Sequence, residues 1–290
     1  MPSLIDFRRR IRSVKNTQQI TRALKMVSAA KLRRAQDRVI AARPYSRSLR
    51  ELLGNLAAAA ANDERLAESP LLAARDPKRV ELVLMTSDTG RAGAFNANLT
   101  RAAERFFAER AESKGGIVAV GKKGRDHFRK QGRAVNAEYL GVLNKIEYST
   151  AAGIASSLIE RFRAGEIDAV YLMYNEFKSV LTQTVTMVPV LPVRLPASGD
   201  QKSGAVDYIY EQPPLDMLER LLPRYVETTI FQGMLETSAA EHAARMTAMD
   251  SATKNAGEVI DHLTLTMNRA RQAAITKEII EVVSGAAAQD

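Results

Sequence analysis

The sequence predicts an α/β chain in which a long antiparallel coiled coil of N- and C-terminal helices carries a small inserted α/β domain. Three observations lead there. Apolar residues keep a heptad repeat from Leu235 to Ala274. Proline is missing from 3–43 and from 224–290. Between those ends, hydrophobic strands alternate with helical segments. The expected bounds are 1–60 for the first helix, 75–205 for the α/β domain and 212–287 for the last helix.

The first helix rests on Leu4, Phe7, Ile11 and Val14, which share one face. Asn16-Thr17-Gln18-Gln19 then interrupts the stripe, and Ile20, Leu24, Val27 and Ala30/Lys31 resume it. A helix over 3–57, bent near Pro44, spans ~80 Å. In the middle, Arg79–Thr86, Gly116–Val120, Ile167–Tyr174 and Val185–Leu195 read as strands, the last Pro-rich and at an edge. Helices are expected at Ala94–Arg110, Arg125–Gln131 and Ala151–Phe162.

The last helix has the strongest pattern. Steps of four and three land on Leu235, Ala239, His242, Met246, Met249, Thr253, Ala256, Ile260, Leu263, Met267, Ala270 and Ala274, ten of the twelve apolar. Small residues allow close approach, and Met adapts to irregular neighbours. A helix over 214–285 runs ~105 Å, far beyond the width of a globular domain. Neither rod buries its stripe alone, so the two pair antiparallel.

Charge divides the chain in the same way. Residues 1–50 hold 14 Arg/Lys against Asp6 and Asp37, whereas 214–290 hold seven bases and 11 acids. Arg8-Arg9-Arg10-Ile11-Arg12 and Lys31-Leu32-Arg33-Arg34 lack interleaved acids, which points to an acidic partner surface. With Phe7 and Tyr45 the only aromatics in the first 50 residues, base-stacking platforms are lacking. The chain has no Cys and three His, which excludes a disulfide framework, a thiolate zinc site and a cysteine nucleophile. The start lacks an apolar leader, and no run is long and apolar enough to span a membrane, so a reducing compartment is expected.

Motifs for chemistry fail on spacing. Thr89-Gly90-Arg91-Ala92-Gly93 lacks the three-glycine dinucleotide fingerprint and reads as a tight turn feeding a helix. Gly121-Lys122-Lys123-Gly124 lacks the Walker spacing and reads as a surface turn. His242 sits on the seam, and neither His127 nor His262 has an evident carboxylate or Ser partner. No nucleophile, general-base pair or metal cluster is expected, and no cofactor, so the chain reads as mechanical. Asn268–Thr276 gathers polar groups, and Ile279–Ala288 is an almost uncharged end that something must receive.

Three long segments carry a resemblance: Ile11–Thr21 with Met26–Lys31 (IRSVKNTQQIT, MVSAAK), Glu241–Asp250 (EHAARMTAMD), and Asn268–Ile279 (NRARQAAITKEI) running to Ser284-Gly285-Ala286-Ala287. Val120–Arg125 (VGKKGR) also fits. On these the chain resembles the gamma-subunit family of the F-type ATP synthase over essentially all of its length. The resemblance implies a Rossmann-like inserted domain and a non-catalytic rotor shaft. That shaft links a proton-driven c ring to a ring of three alpha and three beta subunits, for ATP synthesis or hydrolysis. It also implies an epsilon partner, no nucleic acid, and a peripheral place on the cytoplasmic face of the bacterial inner membrane.

Residue by residue, the resemblance implies beta-subunit contacts at Leu24, Lys25, Met26 and Arg245, and at Arg271 and Gln272. Ile279, Ile280, Val282 and Val283 match a tip in an apolar bearing. Tyr208, Tyr210 and Glu211 match the foot that meets epsilon and the c ring. Ser87–Asn96 departs from the family's usual Ser-Asp-x-Gly-Leu-Cys-Gly-Gly-Phe-Asn: Arg91 replaces Leu, and a Cys and a Gly are lost.

Overall fold

A computed structural model describes residues 3–61, 63, 65–194 and 210–287. In chain order the elements are α1 (Leu4–Ala59), α2 (Arg65–Glu68), β1 (Arg79–Met85), α3 (Phe95–Ala108), β2 (Lys114–Val120) and α4 (Lys122–Lys130). These are followed by β3 (Val135–Tyr139), α5 (Tyr148–Arg163), β4 (Ala169–Phe177), β5 (Gln183–Leu191) and α6 (Pro214–Ala287). The chain divides into two compact units, 30–244 and 1–29 with 245–290.

In the 30–244 unit the five strands order β3-β2-β1-β4-β5. The first four are parallel, and β5 runs antiparallel on β4. β1 is buried from Val80 to Met85, as a central strand covered on both faces must be. Alternate residues separate the faces. Leu84 and Thr86 point to α4, and Tyr171 stacks edge-on against Phe106 of α3. On the other face, Met85 and Leu172 meet Gly233 of α6, and Glu81 meets Arg161 of α5. β3 was missed by sequence reasoning. Its five residues alternate half-buried and exposed at the sheet edge and include Asn and Glu, so hydrophobicity alone does not mark it.

Both long helices run through this unit. From α1, Val39, Leu49, Leu53 and Leu56 are buried, each stabilising by about 1.5–3 kcal/mol. Pro44 lies inside α1, which continues to Ala59. From α6, every residue from Gly233 to Ala243 except His242 is buried. A helix enclosed all round needs small side chains where neighbours crowd it, which the Ala, Ser and Thr of this stretch supply.

Charges inside the unit are paired. Glu81 is 1% exposed and is held by Arg161 at 3.0 Å and by Asn136 Nδ2, which donates to both oxygens. Asp168 accepts from Arg79 three times: from the backbone N–H at 2.8 Å, from Nη2 at 2.9 Å and from Nε at 3.2 Å. Those bonds hold its carboxyl below the usual carboxylate range. Because the folded pKa is depressed, the unfolded chain takes up the proton first as pH falls. The stabilisation is complete above about pH 4 and is lost below it. We expect the urea midpoint to fall as pH drops from about 4 to 3, and Asp168→Asn to flatten that slope. An equal slope in the variant would assign it to other carboxylates.

The other unit is an antiparallel helix pair. Gln18 Nε2 donates to the Thr253 carbonyl at 3.3 Å, the Thr21 and Thr253 hydroxyls lie 2.8 Å apart, and Lys25 Nζ reaches Asp250 Oδ1 at 2.6 Å. Residue numbers rise on α1 as they fall on α6, as the paired rods required. On α6 the expected seam holds: Met249 and Ala256 are buried, and Thr253, Ile260, Leu263 and Met267 are half-buried. Ala274 is exposed, so the seam ends before it.

On α1 the expectation is corrected. The stripe does not break over Asn16–Gln19, and of the residues expected to resume it Leu24 is half-buried but Ile20, Val27 and Ala30/Lys31 are exposed. It steps without interruption through Phe7, Ile11, Val14, Gln18, Thr21, Lys25 and Ser28, all buried or half-buried. Four of those seven are polar, and three of them meet polar groups of α6, so hydrophobicity misplaces the face.

Candidate functional site

A doubly wound sheet binds ligands outside the C-terminal ends of its strands, where the strand order reverses. Here that place lies at β1 and β4, and the protein fills it itself. Glu236 of α6 accepts the Phe177 N–H at 3.0 Å and an Arg43 Nη2–H at 3.1 Å, and the Thr237 hydroxyl lies 3.7 Å from Met85 Sδ. Next to it, the N-terminus of α4 is occupied by the Asp88 carboxylate. It accepts the Lys122 N–H at 3.0 Å and the Gly141 N–H at 3.1 Å. The Gly121–Gly124 turn thus has an internal anion where a phosphate would sit. Arg91, in the divergent loop, takes a left-handed φ of 68° and is exposed.

At the opposite strand ends, a cavity of about 200 Å³ is floored by Glu81, Asn136 and Arg161, which satisfy one another. His127 does have a carboxylate partner, contrary to the sequence expectation. Glu104 Oε1 lies 2.8 Å from its Nε2 and also accepts from Gln131 Nε2 at 2.6 Å; the Gln131 bond first, and the His127 contact after it, lower the Glu104 pKa. Glu104 on α3 and His127 on α4 are half-exposed, Gln131 just after α4 is exposed, and the three form no triad with a nucleophile. Among the described residues no group of His, Asp and Glu could hold a metal.

The resemblance-derived positions fall into separate places. Leu24 and Lys25 are half-buried in the helix pair, and Met26 is 62% exposed. The register that sets Lys25 beside Asp250 places Arg245, half-buried, about a turn and a half along α6. These four residues therefore share one stretch of the pair. Sequence reasoning missed that Lys25 is already engaged: Asp250 bridges it to Lys254 at 3.1 Å, and the two ammoniums hold the Asp250 carboxyl below its ordinary range.

The same register sets Leu4 opposite about residue 271, so α6 continues past the first turn of α1 as a single helix for ~24 Å. Every residue from Arg271 to Val282 is exposed, including Gln272, Ile279 and Ile280. Arg271 and Gln272 are ~32 Å along α6 from Asp250 and form a second site. Tyr210 is half-buried and Glu211 exposed at the approach to α6. Tyr208 and the Val283 side chain lie outside the described residues.

The arrangement offers surfaces for partners: a helix pair with exposed arginines on α1, and a bare apolar helix end. The family model described as ATP synthase matches residues 3–289. An ATP synthase gamma chain of Solibacter usitatus is 62% identical over 290 residues, covering all of both chains. One of Pelotomaculum thermopropionicum is 49% identical over 288 residues, covering 99% of each. Among solved structures, a chain of the Euglena gracilis mitochondrial ATP synthase (OSCP/F1/c-ring) aligns with a TM-score of 0.67 at 18% identity, over 99% of this chain and 94% of that one. A chain of the Tetrahymena thermophila mitochondrial ATP synthase central stalk/c-ring aligns with a TM-score of 0.62 at 24% identity, over 80% and 99%. Those two likenesses are of fold, and the sequence matches carry the assignment: the chain belongs to the gamma-subunit family of the F-type ATP synthase, the family of its central rotor shaft.

Proposed function

We infer that the chain transmits torque between a proton-driven c ring and a head of three alpha and three beta subunits, and makes or breaks no bond itself. The observation that carries this is the whole-length match, 62% identical, to an ATP synthase gamma chain. The geometry supports it: the strand ends where a ligand would bind are filled by Glu236 and Asp88, while the surfaces left open are helical and suited to moving contacts.

In this reading the working parts are 1–60, 75–205 and 212–287. Leu24, Lys25, Met26 and Arg245 form one beta contact, and Arg271 with Gln272 another. Ile279, Ile280, Val282 and Val283 turn in an apolar sleeve, where no directional bond resists rotation. Tyr208, Tyr210 and Glu211 meet epsilon and the c ring. Each orientation of the shaft binds one beta conformation better than the other two and so shifts its population. No described helix is long and apolar enough to cross a membrane, and the chain attaches at the cytoplasmic face of the inner membrane through the c ring.

The test is reconstitution. The chain alone should hydrolyse no ATP. Added to alpha, beta, epsilon and membrane-sector subunits, it should restore ATP-driven proton pumping. Pumping of equal rate without it would refute the reading. Saturable dinucleotide binding would favour an enzyme, and salt-sensitive DNA binding a nucleic-acid role.

A further inference from the structure

A shaft needs its α/β body to turn with its helices. Apolar packing is non-directional and does not by itself fix how far a cylinder is rotated about its own axis. Within the 30–244 unit one directional contact ties α1, α6 and β4 at once. Glu236 of α6 has a side chain only 2% exposed. One oxygen accepts the Phe177 N–H, at the end of β4, at 3.0 Å, and the other accepts Arg43 Nη2 of α1 at 3.1 Å. The same Arg43 nitrogen reaches the Phe177 carbonyl at 3.4 Å. One turn earlier Gly233 leaves no slack: a Cβ there would lie 2.9 Å from Leu172 Cδ2 and 3.2 Å from Met85 Sδ.

Arg43 is 45% exposed, so the pair is buried on the Glu236 side only, and even a fully buried ion pair is weak support for stability, since well-packed apolar residues often serve as well. Its best-attested use is to fix one arrangement among similar ones. We propose that Arg43, Glu236 and the Phe177 backbone form an orientation key that locks the rotational setting of α1 and α6 against the sheet, so that torque on the body reaches both helices. Glu236 and Arg43 are positioning residues. This rests on the rotor-shaft reading.

The test uses the complete complex in proteoliposomes, with the full chain carrying Arg43→Met and Glu236→Gln together. Gln still accepts the Phe177 N–H, so the α6–β4 bond stays while the charged link to α1 is gone. We expect a melting temperature within a few degrees of wild type, a near-normal hydrolysis rate, and about threefold fewer protons pumped per ATP, the low end for partners in one ion-pair network. Glu236→Gln alone, whose one carbonyl oxygen serves the Phe177 N–H while its amide turns a donor toward Arg43, also breaks the α1 link and serves if the double variant does not assemble. Wild-type pumping per ATP in either variant overturns the key. A wild-type complex that hydrolyses ATP without pumping overturns the rotor reading instead, so the two failures are distinct.

Discussion

Replacing Arg271 and Gln272 together by alanine should lower ATP-driven proton pumping about tenfold while the complex still assembles. Both side chains are exposed on the stretch of α6 that extends beyond α1, so truncation removes no packing within the chain. Alanine is the best helix former, and exposed changes of this kind stay within about 0.5 kcal/mol. Any large effect must therefore come from a partner. A hydrogen bond to a charged group is worth about 1.5–3 kcal/mol, a factor of roughly 10 to 100 when lost. Assembly draws on the rest of the long surface and should be spared. Pumping by inverted vesicles, with subunit ratios read from the purified complex, checks this. Unchanged pumping would remove these two residues from the beta contact.

Gly121→Ala should destabilise the α/β unit by roughly 4 kcal/mol. Gly121 sits between β2 and α4 with φ +99°, and a Cβ there would lie 1.9 Å from the backbone oxygen of Thr86. That oxygen belongs to the chain leaving β1, the central strand, so it cannot yield as a flexible side chain would. A glycine-only conformation costs about 1–3 kcal/mol and overpacking a similar amount, together roughly 4 kcal/mol. Gly132 is the control, with φ +71° and nothing within 4 Å of an added Cβ. Gly132→Ala should cost about 1 kcal/mol. Urea melts of both variants decide it, and a Gly121→Ala chain as stable as Gly132→Ala would contradict the packing described at β1.

Most of the architecture was legible because it is written in long periods. The α6 heptads from Leu235 onward and the buried strands at Arg79–Met85 and Lys114–Val120 follow hydrophobicity directly. What was not legible has a common cause, polar groups doing the work of apolar ones. Gln18, Thr21 and Lys25 occupy the α1 seam because Thr253 and Asp250 wait opposite, and no reading of one helix contains its partner. An unbroken four-and-three walk from Phe7 would have found them. Glu104 beside His127 and Glu236 beside Arg43 join residues 23 and 193 positions apart, so folding, not spacing, creates them. The partner-facing residues came from resemblance, since exposed positions such as Arg271 carry no internal signal.

The central claim is that this chain turns. With the alpha–beta head fixed to a surface and a bead attached through Lys178→Cys, an exposed site in a chain without other cysteines, ATP should drive the bead in one direction through many full circles. Steady hydrolysis under a bead that only jitters about one angle would contradict it.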